Sequence, residues 1–485
     1  MKFNVKDRFN DFLNNSKDYP ILAGFSVGFY AMVFYFSNNF DLVNSWEQTL
    51  FFLVYYIVVS VAVIFSIAKI IQKSKYASFI SQTIFVLMLL ILPIYLFGIS
   101  NILGSYIKLG LLLILILALL IFKIKNYKYF IVLIFLMSVL PVLKLGKIIY
   151  LNYSNSTEWM VQPDAILNTK FKKTPNIYYI QPDGYAGDIN LKGSLYNYDN
   201  STFDSFLNEK KFTLYPDYRS NYESTLFSNS SCFFMKHHFS NEFSKFKYAR
   251  DLIVGKNPVL EIFKKNNYKT FFISERPYLL MNRPKMYYDY CNFNYDELPY
   301  LSDGWSYFKE ITRTIETQIV NNKKTSNFFF IEKFKPGHIG TYKFDGTNKE
   351  IERIKYIESV KKANYWLRQT IVFIEKNDPD AIIIIGADHG GFVGFDYALQ
   401  AQNKVTDKLL IQSIFGAKLA IKWNDLKHSE YDSKLKTSVN LFRTLFSFLS
   451  EDKTLLAHFQ SDASYNCYDP TDFTKVYKAI DENGN

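Results

Sequence analysis

Cysteine is scarce, with Cys232, Cys291 and Cys467 the only three in 485 residues. Three thiols can close at most one intrachain bond and leave one over, so the chain is no disulfide-stapled scaffold. There is no Cys-x-x-Cys pair and no zinc-knuckle spacing, which removes the usual signals for a cysteine-held zinc or a thiol redox centre. Burial as small apolar residues is the expected fate of these cysteines. No internal repeat, low-complexity tract or RNA-binding signature is present. The abundance of Phe, Tyr, Asn, Lys and Ile reads as the bias of an AT-rich genome, not as a base-stacking surface. The apolar stretches near the N-terminus carry no acid or histidine at their centres. Transporters and pumps usually need such groups there, so the stretches are read as an anchor, with a possible second role as a lipid-facing platform.

Long apolar runs are what the chain does have. Five stretches approach the 20 or so residues that a bilayer requires: Ile21–Phe36, Leu50–Ala68, Ala77–Ile99, Leu109–Phe122 and Tyr129–Leu143. The first has no clear cleavage site after it and more spans follow, so it is expected to be retained. The formal charge is +11, and the first 150 residues contribute +8 of it, from 13 Lys and Arg against 5 Asp and Glu. The basic excess thus belongs to the membrane half, and no nucleic-acid partner is needed to explain it. Ten bases (Lys2, Lys6, Arg8, Lys17, Lys69, Lys73, Lys75, Lys123, Lys125 and Lys128) fall on one side of the spans, and Lys108, Lys144 and Lys147 on the other. That asymmetry predicts a cytoplasmic N-terminus and an extracytoplasmic C-terminal half. The expected organisation is a cytoplasmic tail (1–20), a five-helix transmembrane domain (21–150), a linker or membrane-surface stretch (151–175) and an extracytoplasmic domain (176–485).

In the C-terminal part, strand-like and helix-like segments alternate. Strands are expected at Asn176–Gln181, Tyr268–Ser274, Asn327–Ile331, Ala381–Gly386 and Lys418–Trp423. Helices are expected near 201–211, 257–266, 304–321, 347–377 and 432–450. This order argues for an α/β domain with a doubly wound, mostly parallel sheet. Ligands of such sheets bind outside the carboxyl ends of the strands. Two strands deliver acids there. One runs into Asp183-Gly184-Tyr185, and the run of four isoleucines ends in Ala387-Asp388-His389-Gly390-Gly391. One oxygen and one nitrogen ligand beside a second acid suit a divalent cation. Asp-Gly alone would be an ordinary turn; the pairing of the two strand ends is the signal. His237-His238 are expected on a solvated face, and His428 and His458 at the periphery.

Together with Ser220-Asn221-Tyr222-Glu223-Ser224-Thr225 and Gly337-His338, these features resemble the alkaline phosphatase superfamily. More narrowly they resemble its membrane-anchored, sulfatase-like branch of lipoteichoic acid synthases, phosphoethanolamine transferases and related phosphoglycerol transferases. The resemblance implies five transmembrane helices and an extracytoplasmic α/β domain. It implies one divalent metal (Mn, Mg or Zn) on Asp183, Thr225, Asp388 and His389. Thr225 is then the nucleophile at a helix start, with Ser224 the second choice. His338 is then the group at the phosphoryl or leaving oxygen, and Ser224 and Asn221 are substrate contacts. Two histidines often stand in the family's segment; here Lys333, Lys335 and His338 stand there, and a second metal is not expected. Formylglycine sulfatases need Cys or Ser followed by x-Pro-x-Arg, and Cys232 is followed by Phe233-Phe234-Met235-Lys236. The implied activity is transfer of phosphoethanolamine or phosphoglycerol from a phospholipid donor to an envelope glycan or lipid acceptor, at the bacterial cytoplasmic (inner) membrane, with a periplasmic catalytic domain. A hydrolase on the same core and an inactive envelope-assembly scaffold are the alternatives.

Overall fold

The computed structural model describes residues 5–97, 110, 126–154, 157–239, 249–301, 303–467 and 475–485. The chain divides into two compact units. One is Met1–Ser154 with Met281–Arg283 and Pro299–Asp303; the other is the remainder from Asn155.

In the first unit, four helices among the described residues are long and apolar enough to cross a membrane: Pro20–Val43, Trp46–Gln72, Ala77–Leu96 and Lys128–Leu151. They take in the first, second and fifth expected spans and the third as far as Leu96; residues 98–99 of the third lie outside the described residues. The expected fourth, Leu109–Phe122, lies outside the described residues except for Gly110. Some polar groups on these helices pair with one another, as a lipid surrounding favours. Tyr95 donates to the Tyr55 carbonyl (2.8 Å) and accepts from Ser60 Oγ (3.0 Å). Ser45 caps the second helix in a reciprocal pair with Gln48.

The second unit is built on a seven-stranded sheet. Its strands are β1 (Ile177–Pro182), β2 (Thr213–Leu214), β3 (Lys269–Ser274), β4 (Tyr290–Cys291), β5 (Asn327–Lys333), β6 (Ile382–Gly386) and β7 (Leu419–Lys422), in the order β2-β7-β6-β1-β5-β3-β4. Every residue of β1, β5 and β6 is buried. That is why these strands read as continuous apolar runs without alternation. Ile180 of β1 pairs with Ile385 on one side and Ile331 on the other. Two aromatic ladders cross the strands: Phe271, Phe329 and Tyr178 stack at 4.4 and 4.8 Å, and Phe272, Phe330 and Tyr179 at 5.3 and 5.5 Å. These cross-strand pairs place six of the aromatics in the core.

The sheet is mixed. β1, β3, β4, β5 and β6 run parallel, whereas β7 is antiparallel to β6 and β2 to β7. A parallel β7 would need the chain to return to the far end of the sheet. Instead residues 387–418 stay at the carboxyl end of β6, and the Lys408–Phe415 helix feeds β7 from there. The helices Ser201–Glu209, Pro258–Lys265 and Lys349–Asn377 lie where periodicity puts them. Two others start later than expected, at Thr312 and Leu441. Short 3-10 turns at Asp432–Lys434 and Ser438–Asn440 occupy the start of the expected 432–450 helix. Cys232 and Cys291 are free thiols; Cys232 and Cys467 are buried and Cys291 is half-buried.

His237 and His238 correct the solvated-face expectation: both are buried, at 7% and 0% exposure. They sit among Tyr222, Phe239 and Tyr465, with His237 Nδ1 2.9 Å from the Tyr222 hydroxyl and Nε2 2.8 Å from the Ser461 carbonyl. Burial pushes the His237 pKa down from 6.5 to about 4. A lowered base leaves the folded state poorer in protons than the unfolded one. Its contribution is therefore complete above the unfolded value and is lost as pH falls from 6.5 towards 4. That loss amounts to about 3 kcal/mol. Thermal unfolding followed against pH should show this acid arm, and His237→Gln should flatten it.

Candidate metal centre at the carboxyl ends of the strands

Adjacent pairing of β1 and β6 brings their carboxyl ends side by side, and each continues into an acid. Asp183, Asp388 and His389 can each offer one ligand atom with all three atoms within 4.8 Å of one another. It is the one such cluster among the described residues. His389 Nδ1 lies 2.8 Å from the Gly390 carbonyl, which assigns the proton to Nδ1 and leaves the Nε2 lone pair for the cluster. Nε2 lies 3.7 Å from Asp183 Oδ1 and 3.4 Å from Asp388 Oδ2. Asp388 Oδ1 accepts the Gly184 N–H at 3.0 Å, whereas Oδ2 is shielded from solvent with no hydrogen-bond partner. An orphaned buried carboxylate oxygen is costly. Two acids, an imidazole nitrogen and that orphaned atom fit a divalent cation.

Two glycines allow this convergence. Gly184 has φ +62°, and a Cβ there would stand 2.5 Å from the Gly337 carbonyl oxygen. At Gly391 a Cβ would meet the Tyr356 ring at 2.3 Å. The Tyr356 hydroxyl in turn donates to the Gly184 carbonyl and accepts from Ala186 N–H, both at 2.9 Å. Tyr356 thus ties the two strand ends together from the long helix.

Thr225 is the first residue of the helix Thr225–Phe234 and follows Ser224 in extended backbone (φ −135°, ψ 155°). Its Oγ1 donates to Asp183 Oδ1 at 3.2 Å and lies 3.4 Å from His389 Nε2. The hydroxyl therefore stands beside the cluster, at the positive end of a helix where backbone N–H groups favour an anion.

Electrostatics at the cluster favour a cation there. Burial, and then the Asp388 carboxylate, push the Asp183 carboxyl well above its ordinary range, against smaller opposing effects of His389 and Thr225. Burial works against charge on His389, but Asp388 and Asp183 outweigh it and raise its pKa. His338 is lowered by burial first and by His389 second. Its ring centroid is 6.1 Å from that of His389, its ring packs edge-on against Phe392, and its Nδ1 lies 2.5 Å from the Ile339 carbonyl. The loop before it is tied to the cluster by the Gly337 N–H, which donates to the Asp183 carbonyl at 2.8 Å.

The structure thus gathers Asp183, Thr225, Asp388 and His389, with His338 one ring away. Asn221 has other partners. Its Nδ2 donates to the Ala463 carbonyl (2.9 Å), and its Oδ1 accepts from Ser438 Oγ (3.0 Å) and Val439 N–H (2.8 Å). The side chain holds the turn before the Thr225–Phe234 helix. Ser224 makes no side-chain capping bond.

Sequence reasoning passed over Glu223. Its Oε2 is shielded without a hydrogen-bond partner, burial pushes its pKa up to about 8, and it interacts electrostatically with His389. In the sequence it resembles any acid placed before a helix; only the three-dimensional neighbourhood distinguishes it.

No family model matches the chain, and no curated relative matches it. Several solved structures do. The C-terminal periplasmic domain of EptC from Escherichia coli aligns at 12% identity and TM-score 0.42, over 63% of this chain and 93% of that one. The integral membrane lipooligosaccharide phosphoethanolamine transferase A of Neisseria meningitidis aligns at 13% identity and TM-score 0.40, over 88% and 95%. The lipoteichoic acid synthase LtaP of Listeria monocytogenes aligns at 13% identity and TM-score 0.41, over 66% and 90%. At such identities no residue role transfers from them.

Proposed function

We propose that this protein is a membrane-bound transferase that moves a phospho-alcohol head group from a phospholipid to an envelope acceptor, with Thr225 as the covalent carrier. The observation that carries the reading is the Thr225 hydroxyl at a helix start, 3.2 and 3.4 Å from two members of a buried Asp-Asp-His cluster. Asp183, Asp388 and His389, with Thr225, would hold one divalent metal. Such an ion supplies neutralisation of phosphoryl charge and acidification of a hydroxyl.

Thr225 Oγ attacks the phosphorus of the diester, the bond to the diacylglycerol oxygen breaks, and a phosphodiester joining Thr225 to the head-group alcohol forms. The proton leaves Thr225 by way of the hydrogen bond to Asp183 Oδ1 and overall ends on the diacylglycerol oxygen. In the second half, an acceptor hydroxyl attacks the same phosphorus and Thr225 regains its proton. His338 carries its proton on Nδ1, facing the Ile339 carbonyl, so its Nε2 lone pair is the base assigned to the acceptor hydroxyl. Ser224 lies one residue from the carrier and is assigned to the substrate. Four apolar helices suit an enzyme whose donor is a lipid, because confinement raises its effective concentration.

Incubation of the full chain with phospholipid and Mn²⁺ should release diacylglycerol and leave a phospho-alcohol adduct on the tryptic peptide Ser220–Lys236. Free phospho-alcohol as the sole end product, even with envelope glycan supplied, would make the protein a hydrolase. Absence of both adduct and diacylglycerol from metal-loaded protein would overturn the reading.

A further inference from the structure

A cavity of about 770 Å³ lies beside the metal centre, on the β2 and β7 side of the sheet, and the chemistry above makes no use of it. Three segments wall it: 187–190, which follow Asp183; 214–219, which lead to Thr225; and 412–416, which precede β7. The Gly187 N–H donates to the Gly416 carbonyl at 3.0 Å, and the Ser220 N–H to the Phe415 carbonyl at 2.8 Å. The same segment also holds the loop of the metal centre, with the Gly390 N–H donating to the Ile414 carbonyl at 2.7 Å. Cavity and cluster thus share one wall. Gly187 stands four residues after Asp183, so their α-carbons lie within about 14 Å of each other by chain length alone.

The lining is held in place by its own hydrogen bonds. The Tyr215 hydroxyl donates to Asp432 Oδ1, Asn190 Nδ2 to the Gln412 carbonyl and Arg219 Nη2 to the Asp462 carbonyl, each at 2.6 Å. Asp217, Gln412, Ser433, Lys436 and Asn483 also line the cavity, and their side chains make no hydrogen bond or ion pair among the described residues. Three carboxylates (Asp217, Asp432 and Glu482) against two bases (Arg219 and Lys436) make the cavity a poor host for phosphate. A hydrocarbon chain would leave the polar groups around it unpaired. Carboxylates, amides, a hydroxyl and an ammonium suit a ligand whose hydroxyls each donate and accept. Ile189 and Pro216 add apolar surface for the C–H face of a sugar ring. We infer that this cavity binds a neutral sugar unit of the acceptor glycan, away from the hydroxyl that receives the phosphoryl group. The inference rests on the transferase reading above and deepens it from the class of acceptor to the place where the acceptor is held. A sugar anchored here keeps the reacting hydroxyl near Thr225 and makes its attack effectively intramolecular.

The test uses the full chain in phosphatidylcholine nanodiscs, with maltotriose and triacetylchitotriose as neutral probes. Calorimetric titration of the wild type should show at least one of them binding with a Kd of about 1 mM or tighter. Asp217→Ala combined with Gln412→Ala should weaken that binding at least about tenfold. Bound Mn²⁺, quantified in both proteins, reports that the variant is folded. A second measurement needs no variant: the sugar affinity should be the same with Mn²⁺ loaded and with Mn²⁺ removed, because the cavity stands apart from the cluster. Binding of neither probe, equal affinity in the double variant, or binding that disappears with the metal would each overturn the inference. Absence of an adduct on Thr225 in protein that does bind the sugar would be a different result. It would sink the transferase reading and leave a sugar site without that purpose.

Discussion

Thr225→Ala is expected to abolish both the covalent adduct and diacylglycerol release, with kcat down by at least about 10⁴-fold. The size of the effect follows from where the hydroxyl stands. Among the described residues it is the one side-chain hydroxyl within hydrogen-bond distance of the cluster, 3.2 Å from Asp183 and 3.4 Å from His389. Neighbouring hydroxyls have other engagements: Ser220 and Ser464 bond to backbone carbonyls, and Ser228 contacts Ser438. Ser224, one residue before the helix, can also offer a hydroxyl and makes no side-chain capping bond. Removing Oγ1 and the methyl group of Thr225 should cost only about 1 kcal/mol of stability, so the variant should still fold and bind metal. Thr225→Ser restores a hydroxyl at the same atom and should recover the adduct at reduced rate. The decisive measurement is intact-protein mass spectrometry of wild type, Thr225→Ala and Thr225→Ser after exposure to lipid. An adduct of full yield in Thr225→Ala would move the carrier to another residue, with Ser224 the first to examine.

Much of this arrangement could be read from the chain, and the reasons differ by element. β1 and β6 announce themselves because strands buried on both faces leave unbroken apolar runs, and each run stops at an acid. The pairing of Asp183 with Asp388-His389 was legible because open sheets collect ligands at strand ends. Other features were hidden. The reversed direction of β7 depends on where the chain re-enters the sheet, and a strand sequence carries no sign of direction. His237 and His238 read as polar surface, yet they are enclosed by Tyr222, Phe239 and Tyr465, contributed in part by residues more than 200 positions away. Asn221 stands four residues before Thr225, yet its amide closes on Ser438 and Ala463, partners no local pattern can name. Glu223 was missed for the complementary reason: its significance is the lack of a partner, which is a property of the folded environment alone.

Asp388→Asn should separate the metal's role from the fold's, and it carries the second large effect. Asp388 has two distinct oxygens. Oδ1 accepts the Gly184 N–H, a bond that an asparagine carbonyl can keep, whereas Oδ2 has no hydrogen-bond partner and is aimed at the cluster. The substitution therefore preserves the turn and removes one of two carboxylate charges, and metal affinity should fall by at least about 100-fold. Wild-type affinity should itself depend on pH. Asp183 holds its proton above the ordinary carboxylate range because burial and Asp388 disfavour its ionised form. Binding a dication needs that proton removed, so affinity should rise across about pH 5 to 8 with close to one proton released per metal. Asp388→Asn removes one cause of the raised pKa, so its weaker affinity should reach its plateau at lower pH than in the wild type. Calorimetric titration with Zn²⁺ or Mn²⁺ at several pH values reads both effects. Saturating metal should also raise the unfolding midpoint of the wild type, by about 2.7 kcal/mol of stability at a hundredfold excess over Kd, and should leave Asp388→Asn nearly unmoved at the same concentration. Equal affinity in the two proteins, or an affinity flat with pH, would mean that the cation is not held by Asp183 and Asp388 together.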